Sequence, residues 1–230
     1  MKYLLNIGNT HTTLAQYDTH KGISLLQTFY TENFSKNDLP EGEIAAISVV
    51  PKLRKELQGM NVFFLDSFNS CGKVDFSQVD CSTLGADRVA NAEALAAFYP
   101  LPGIVLDCGT AITMELVDGE NVFLGGAIAP GRSLMRRSLF SGTAQLPDIP
   151  LSRNIPSDIG AGTRNTIAFG VDCGCIGMVK EYIRIAREKH NIKSIVLTGG
   201  DAKFFHPALP EAVLAPLDFT YHGIRIGAGW

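Results

Sequence analysis

The sequence predicts an α/β protein of two domains with like topology, and three observations carry that prediction. A short pattern occurs twice, as Leu5-Asn6-Ile7-Gly8-Asn9-Thr10-His11-Thr12 and as Leu106-Asp107-Cys108-Gly109-Thr110-Ala111-Ile112-Thr113. A shift of 101 positions aligns the leucines, the glycines and the final threonines, and sets Asn6 opposite Asp107. Each copy closes an apolar run, Tyr3-Leu4-Leu5 or Gly103-Ile104-Val105-Leu106, so each reads as a β-hairpin. Strand patterns followed by helical ones then place the chain in the α/β class. No linker divides it; the repeat and the prolines at 100 and 102 set the domains at 1–102 and 103–230.

From the start of the chain, the first hairpin is followed by apolar strand patterns over Ile23–Tyr30 and Ile44–Val50, the latter stopped by Pro51. Lys52–Gly59 reads as a short helix and Val62–Leu65 as a strand. The polar, weakly patterned stretch 67–83 reads as a loop that reaches the site. Gly85-Ala86-Asp87-Arg88 opens a helix that runs to Tyr99, with Val89, Ala92, Leu95 and Ala96 on one face. After the second hairpin, the strand 122–124 leads into a Gly-rich bend, Gly125-Gly126-Ala127-Ile128-Ala129-Pro130-Gly131, with a helix over 132–141 beyond it. A long helix over 163–189 carries Ile167, Val171, Met178, Tyr182 and Ile185 at helical spacing. Gly170, Gly174 and Gly177 lie within it, each costing roughly 1 kcal/mol against Ala, so a close helix partner is expected, in the same subunit or in another. The strand 194–197 finally runs into Thr198-Gly199-Gly200-Asp201-Ala202.

The hairpins have a chemical use. A strand that ends in an acidic or amide side chain and turns tightly at Gly presents backbone N–H groups and small hydroxyls to a phosphate, and the polar residue can hold a metal ion or a water. Two such loops facing each other across a cleft would grip a polyphosphate from both sides, which points to phosphoryl transfer.

Composition narrows the alternatives. The 230 residues are 46% hydrophobic and 19% charged, ordinary globular values that predict folding throughout. A net charge of −3 with no Lys/Arg run argues against broad nucleic-acid binding. No apolar stretch reaches the roughly 20 residues that span a bilayer, and no signal-peptide pattern opens the chain, so no membrane partner is expected and the cytoplasm is the expected compartment. The 5 cysteines lack paired spacing and predict neither a disulfide framework nor a zinc site; Cys173 and Cys175 lie two apart on a helix, pointing to nearly opposite sides.

Together and in this order, the two hairpins, Gly-Ala-Asp-Arg, Gly-Gly-x-Ile-x-Pro-Gly and the late Thr-Gly-Gly resemble the type III pantothenate kinases, over nearly the whole chain from Leu4 to about Ala202. These belong to the acetate kinase, sugar kinase and actin superfamily, so the resemblance implies two duplicated actin-like (ribonuclease H-like) domains with a ligand cleft between them. It further implies an ATP-dependent phosphorylation of pantothenate to 4′-phosphopantothenate, the first step of coenzyme A synthesis. By that likeness Asn6, Ile7, Gly8, Asn9 and Thr10 bind ATP phosphates with Gly109 and Thr110, while Thr198, Gly199 and Gly200 lie near the adenosine. Asp107 helps to bind a monovalent cation, K⁺ or NH₄⁺, and ATP comes with Mg²⁺. Asp87 is the implied catalytic base. Gly85, Ala86, Arg88, Gly125 and Gly126 are implied for pantothenate, and Thr166, beside Asn165, for the neighbouring subunit's pantothenate site in a homodimer with composite active sites.

Two departures from the family pattern stand out. Asn6 occupies the place of the first motif's usual Asp, and Gln78 and Cys81 stand where a Tyr-x-x-Pro often aligns. Losing a carboxylate at the phosphate site should weaken its hold on Mg²⁺. Asn6 would suit a second reading, a non-catalytic nucleotide-binding regulator of transcription on the same fold. Against it stand Asp87, Asp107 and the Gly-rich pocket, which a retired enzyme has no reason to keep. A kinase for another small alcohol is a third reading, less favoured by the motif pairing.

Overall fold

The computed structural model describes residues 1–230 and holds two five-stranded sheets. The first contains β1 (Lys2–Ile7), β2 (His11–Asp18), β3 (Gly22–Tyr30), β4 (Glu43–Ser48) and β5 (Val62–Phe64). Their order is β3-β2-β1-β4-β5; the first three are antiparallel neighbours, while β4 and β5 run parallel to β1. The second contains β6 (Gly103–Cys108), β7 (Ala111–Val117), β8 (Phe123–Pro130), β9 (Ser194–Thr198) and β10 (Val213–Leu214). Taken from its far edge the order is β8-β7-β6-β9-β10, with β6, β9 and β10 parallel, which repeats the first sheet strand for strand. The duplication visible in two eight-residue motifs therefore extends to two whole sheets.

Six helices accompany them: α1 (Pro51–Glu56), α2 (Ala86–Phe98), α3 (Arg132–Gly142), α4 (Thr163–His190), α5 (Ala202–Phe205) and α6 (Phe219–Gly227). By packing, one unit comprises Met1–Leu101, Val117–Leu124 and Pro216–Trp230, and the other Pro102–Leu116 and Gly125–Ala215.

In the first unit the period of two along β1 sends Tyr3, Leu5 and Ile7 into a core with Leu14, Ile44, Ala46, Leu53 and Leu57. Leu4 and Asn6 leave by the other face, where α2 and α6 cover the sheet. Those two helices pack backbone to backbone: a methyl on Gly223 would lie 1.8 Å from the Ala90 carbonyl oxygen. Gly223 thus has a packing reason that no local pattern reveals.

Two expectations are corrected, and a third is narrowed. The stretch 125–131 is not a bend after a short strand; β8 runs on to Pro130 through the two glycines, Gly125 at φ +100°, and the chain turns only at Gly131. On α4, Ile167 and Val171 are buried as expected, but Ile185 is 41% exposed, and the buried row continues through Cys175, Val179, Ile183 and Ala186, mostly in steps of four. Apart from the flanking residues and α4's own backbone, no atom of the chain lies within 4 Å of a methyl built on Gly170, Gly174 or Gly177, so close packing inside the subunit does not account for them. Beyond Ala202 sequence reading supplied no element, yet α6 is a main support of α2. Its buried Phe219, Gly223, Ile224 and Gly227 at helical spacing were the available signal.

Candidate active site

Asp87 lies in the first turn of α2, where the helix dipole favours a carboxylate. Its Oδ1 accepts the Arg88 backbone N–H at 2.9 Å. The side chain is half-buried, and burial pushes its pKa above the ordinary value, with the Arg88 N–H and guanidinium acting only in part against this. Gly85 is small for a local reason: a methyl there would sit 2.5 Å from Asp87 Oδ1 and push the carboxylate aside. The Arg88 guanidinium lies over Phe123, 5.6 Å from the ring centre, and Phe123 meets Phe76 at 5.4 Å. The polar stretch before α2 is therefore anchored. Glu93, 1% exposed on α2, accepts from Ser70 Oγ at 2.6 Å and from the Lys73 and Val74 N–H groups at 2.9 and 3.4 Å. Burial raises its pKa, opposed by these bonds.

The first hairpin turns through Gly8, Asn9 and Thr10, closed by the Gly8 N–H on His11 O at 3.0 Å. Asn9 and Thr10 are exposed, Ile7 is buried and Asn6 is half-buried, paired across the hairpin with Thr13. The second hairpin turns through Gly109 and Thr110, closed by the Gly109 N–H on Ala111 O at 2.9 Å.

Around that second turn the chain brings together three of the sequence-predicted Gly junctions. The Gly131 N–H, at the start of α3, donates to Thr110 O at 2.9 Å, and a methyl on Gly131 would stand 2.2 Å from Gly109 O. Gly199 sits at φ +90° against Asp107 and Cys108; its methyl would meet Asp107 Oδ1 at 2.4 Å. Only glycine satisfies both that dihedral and that approach. Asp107 pairs with Thr198 along the parallel β6–β9 ladder, and the Asp201 N–H continues the link to Cys108 O at 2.8 Å. Gly200 is exposed beside them. The turn, the N-terminus of α3 and the β9–α5 junction thus form one concentration of small residues around the Asp107 carboxylate, the kind of surface a phosphate or nucleoside can approach closely.

Beneath this lies a charge cluster that sequence reading missed. Arg132, 1% exposed, donates through Nε to Asp172 Oδ1 at 3.0 Å, through Nη1 to Asp201 Oδ1 at 3.3 Å and through Nη2 to Ser152 O at 2.8 Å. Arg136 Nη2 reaches both oxygens of Asp172 at 2.8 Å. Asp172 is fully buried, and the Arg132 guanidinium stacks on Phe204 at 3.3 Å. The cluster ties α3 to α4 and to the junction that follows Gly199. Asp201 is pushed up by burial, with Arg132 opposing.

Gly125 and Gly126 stand in β8, and Thr166 in the first turn of α4. Thr166 Oγ1 donates to Gly160 O at 2.9 Å, and it lines a 620 Å³ apolar groove with Leu139, Leu146, Ile167 and Gly170, to which no hairpin residue contributes. No three or more His, Cys, Asp or Glu side chains gather as metal ligands. A divalent ion at Asp107 would take most of its ligands from phosphate oxygens and water, which suits the hard, well-hydrated Mg²⁺ of a nucleotide.

The family model described as type III pantothenate kinase matches residues 3–185. A type III pantothenate kinase from Endomicrobium trichonymphae is 34% identical over 217 residues, covering 91% of this chain and 82% of that one. Among solved structures, a Campylobacter jejuni protein assigned to the Baf family of transcriptional activators superposes with a TM-score of 0.68 at 22% identity, over 97% of this chain and 95% of that one. The activator of 2-hydroxyisocaproyl-CoA dehydratase from Clostridium difficile, with bound ADPNP, gives a TM-score of 0.52 at 9% identity, over 99% and 92%. These two likenesses establish the fold.

Proposed function

The chain belongs to the type III pantothenate kinase family, and from that premise we infer that it transfers the γ-phosphoryl group of ATP to the primary hydroxyl of pantothenate. The product is 4′-phosphopantothenate. The observation that carries this reading is the family match over residues 3–185, which spans both hairpins and the Asp87 helix. The regulator is not favoured, because at 22% identity the Campylobacter jejuni likeness speaks for fold and not for role.

We assign the chemistry residue by residue. Asp87 takes the hydroxyl proton as that oxygen attacks the γ-phosphorus and the bond to the ADP oxygen breaks. Burial above the ordinary aspartate pKa makes it a stronger base than a solvated carboxylate, and Gly85 leaves it room. Arg88, Ala86, Gly125 and Gly126 hold pantothenate, its carboxylate suiting the guanidinium. Asn6, Ile7, Gly8, Asn9, Thr10, Gly109 and Thr110 hold the phosphates; Thr198, Gly199 and Gly200 meet the adenosine. Asp107 contributes to a K⁺ or NH₄⁺ site and to the charge around Mg²⁺, which when bound neutralises the phosphate oxygens. Domains 1–102 and 103–230 are read as the two copies of the duplication. No helix is long and apolar enough to cross a membrane; we place the enzyme in the cytoplasm, where ATP and its vitamin substrate meet.

Pantothenate-dependent release of ADP tests the activity, and the Asn6→Asp variant sharpens the test. Restoring a carboxylate beside the phosphates is expected to lower the Mg²⁺ concentration for half-maximal rate, by about threefold or more, as an added negative oxygen ligand should. Equal metal dependence in both proteins would show that Asn6 serves through a metal-bound water. ADP release that ignores pantothenate would overturn the substrate assignment.

We further propose a homodimer in which Thr166 serves the partner's pantothenate site. The exposed Gly170, Gly174 and Gly177 on α4, against which nothing in the chain packs, support it. Light scattering at micromolar concentration is expected to give twice the mass of the 24.8 kDa chain, and a monomer would contradict it.

A further inference from the structure

The nucleotide turn of the first hairpin is fastened from below by one buried side chain. Thr31 follows β3 in a short 3-10 turn (Thr31–Asn33) and is 7% exposed. Its hydroxyl donates to Gly8 O at 2.7 Å and its backbone N–H donates to Thr10 O at 3.0 Å. Two carbonyls of the Gly8–Thr10 turn are thus held by a single residue on the neighbouring strand end, beside the Gly8 N–H bond to His11 O. The Thr31 hydroxyl has one proton, and it is spent on Gly8 O, so the 3.0 Å contact between Thr31 Oγ1 and Thr12 Oγ1 is a bond donated by Thr12. Thr12 is fully buried, and the chain Thr12 to Thr31 to Gly8 runs in one direction, each bond polarising the next.

Fixing the carbonyls fixes the peptide planes. A peptide plane whose C=O is held inward has its N–H on the opposite side, so the turn's orientation is set before a ligand arrives. Preorganised donors cost no rearrangement when a phosphate binds. We propose that Thr31 is a positioning residue for ATP: it does not touch the nucleotide, and it holds the Gly8-Asn9-Thr10 turn in its phosphate-binding form through Gly8 O and Thr10 O. This rests on the assignment of that turn to ATP phosphates.

Thr31→Val keeps the shape and the backbone N–H and removes the hydroxyl. It is expected to raise KM for ATP by about five- to tenfold, the size of one hydrogen bond lost with its buried partner left unpaired, while KM for pantothenate stays within about twofold. Thr31→Ser, which keeps the hydroxyl, is expected to restore the wild-type value. A general loss of folding would instead lower kcat and disturb both KM values together. Backbone amide NMR of wild-type protein with a non-hydrolysable ATP analogue separates the inference from its premise. If the amides of Gly8, Asn9 and Thr10 do not respond, the turn does not bind phosphate and both fall. Responding amides with an unchanged ATP KM in Thr31→Val, or a serine variant as impaired as the valine one, overturn the positioning role alone.

Discussion

Asp87→Asn is expected to lower pantothenate-dependent turnover by roughly 10²–10⁴-fold, the usual cost of removing a general base, with affinity for an ATP analogue within about threefold of wild type. The substitution is nearly isosteric, and the amide oxygen still accepts the Arg88 N–H now bound by Oδ1. What is lost is the capacity to take a proton. Because burial raises the folded-state pKa above 3.8, the wild-type rate should fall, as the pH is lowered, at a value above that of an ordinary aspartate. The sign for stability is opposite to that of a paired carboxylate. The folded state holds this proton more tightly than the unfolded one, so stability contributed by the protonated form is present below 3.8 and lost as pH rises through the folded pKa. At neutral pH a buried, charged Asp87 is a cost, so the Asn variant should be at least as stable as wild type, the trade of stability for function expected of a catalytic group. Near-normal turnover in this variant would move the base to another group.

Asp172→Asn should have the largest effect on stability. The fully buried carboxylate balances Arg132 and Arg136, whose other hydrogen-bond acceptors are Asp201, for Arg132, and main-chain carbonyls. Neutralising it without changing its size leaves two buried guanidinium groups with one half-buried carboxylate between them. Breaking buried pairs in this way typically costs ~3–5 kcal/mol. The expected result is an unfolding free energy, from denaturant titration, lower by that amount. Arg132 also reaches Asp201 beside the Gly199 junction, so residual folded enzyme should show a raised KM for ATP ahead of any change in that for pantothenate. A change below about 1 kcal/mol, the range of a solvated surface pair, would mean that water reaches the cluster.

Much of this was legible in the sequence because it is local. A turn glycine, a strand of alternating apolar residues and a helix opened by Asp87 are each specified within ten residues, and the 101-residue repeat announced two sheets of one topology. The motif residues Asp107, Gly109, Gly199 and Gly200 were found in the same way, since tight turns demand particular residue types. Other features have no local signal. Arg132 meets Asp172 across 40 positions and Asp201 across 69, and an arginine on a short helix reads as solvated until the helices that bury it are in place. Nothing near Glu93 in the sequence marks it, yet it anchors Ser70, Lys73 and Val74 because α2 is buried nearly all round once α6 packs on Ala90. Thr31 closes a turn 23 residues earlier in the chain. The sequence by itself determined most of the strands, the paired hairpins and the chemistry they can offer, because backbone preference and residue type act over a few neighbours. Only the tertiary structure decided which charges are buried, which glycines must be glycine, and what holds each turn in place, because desolvation and close approach exist only between segments the fold brings together.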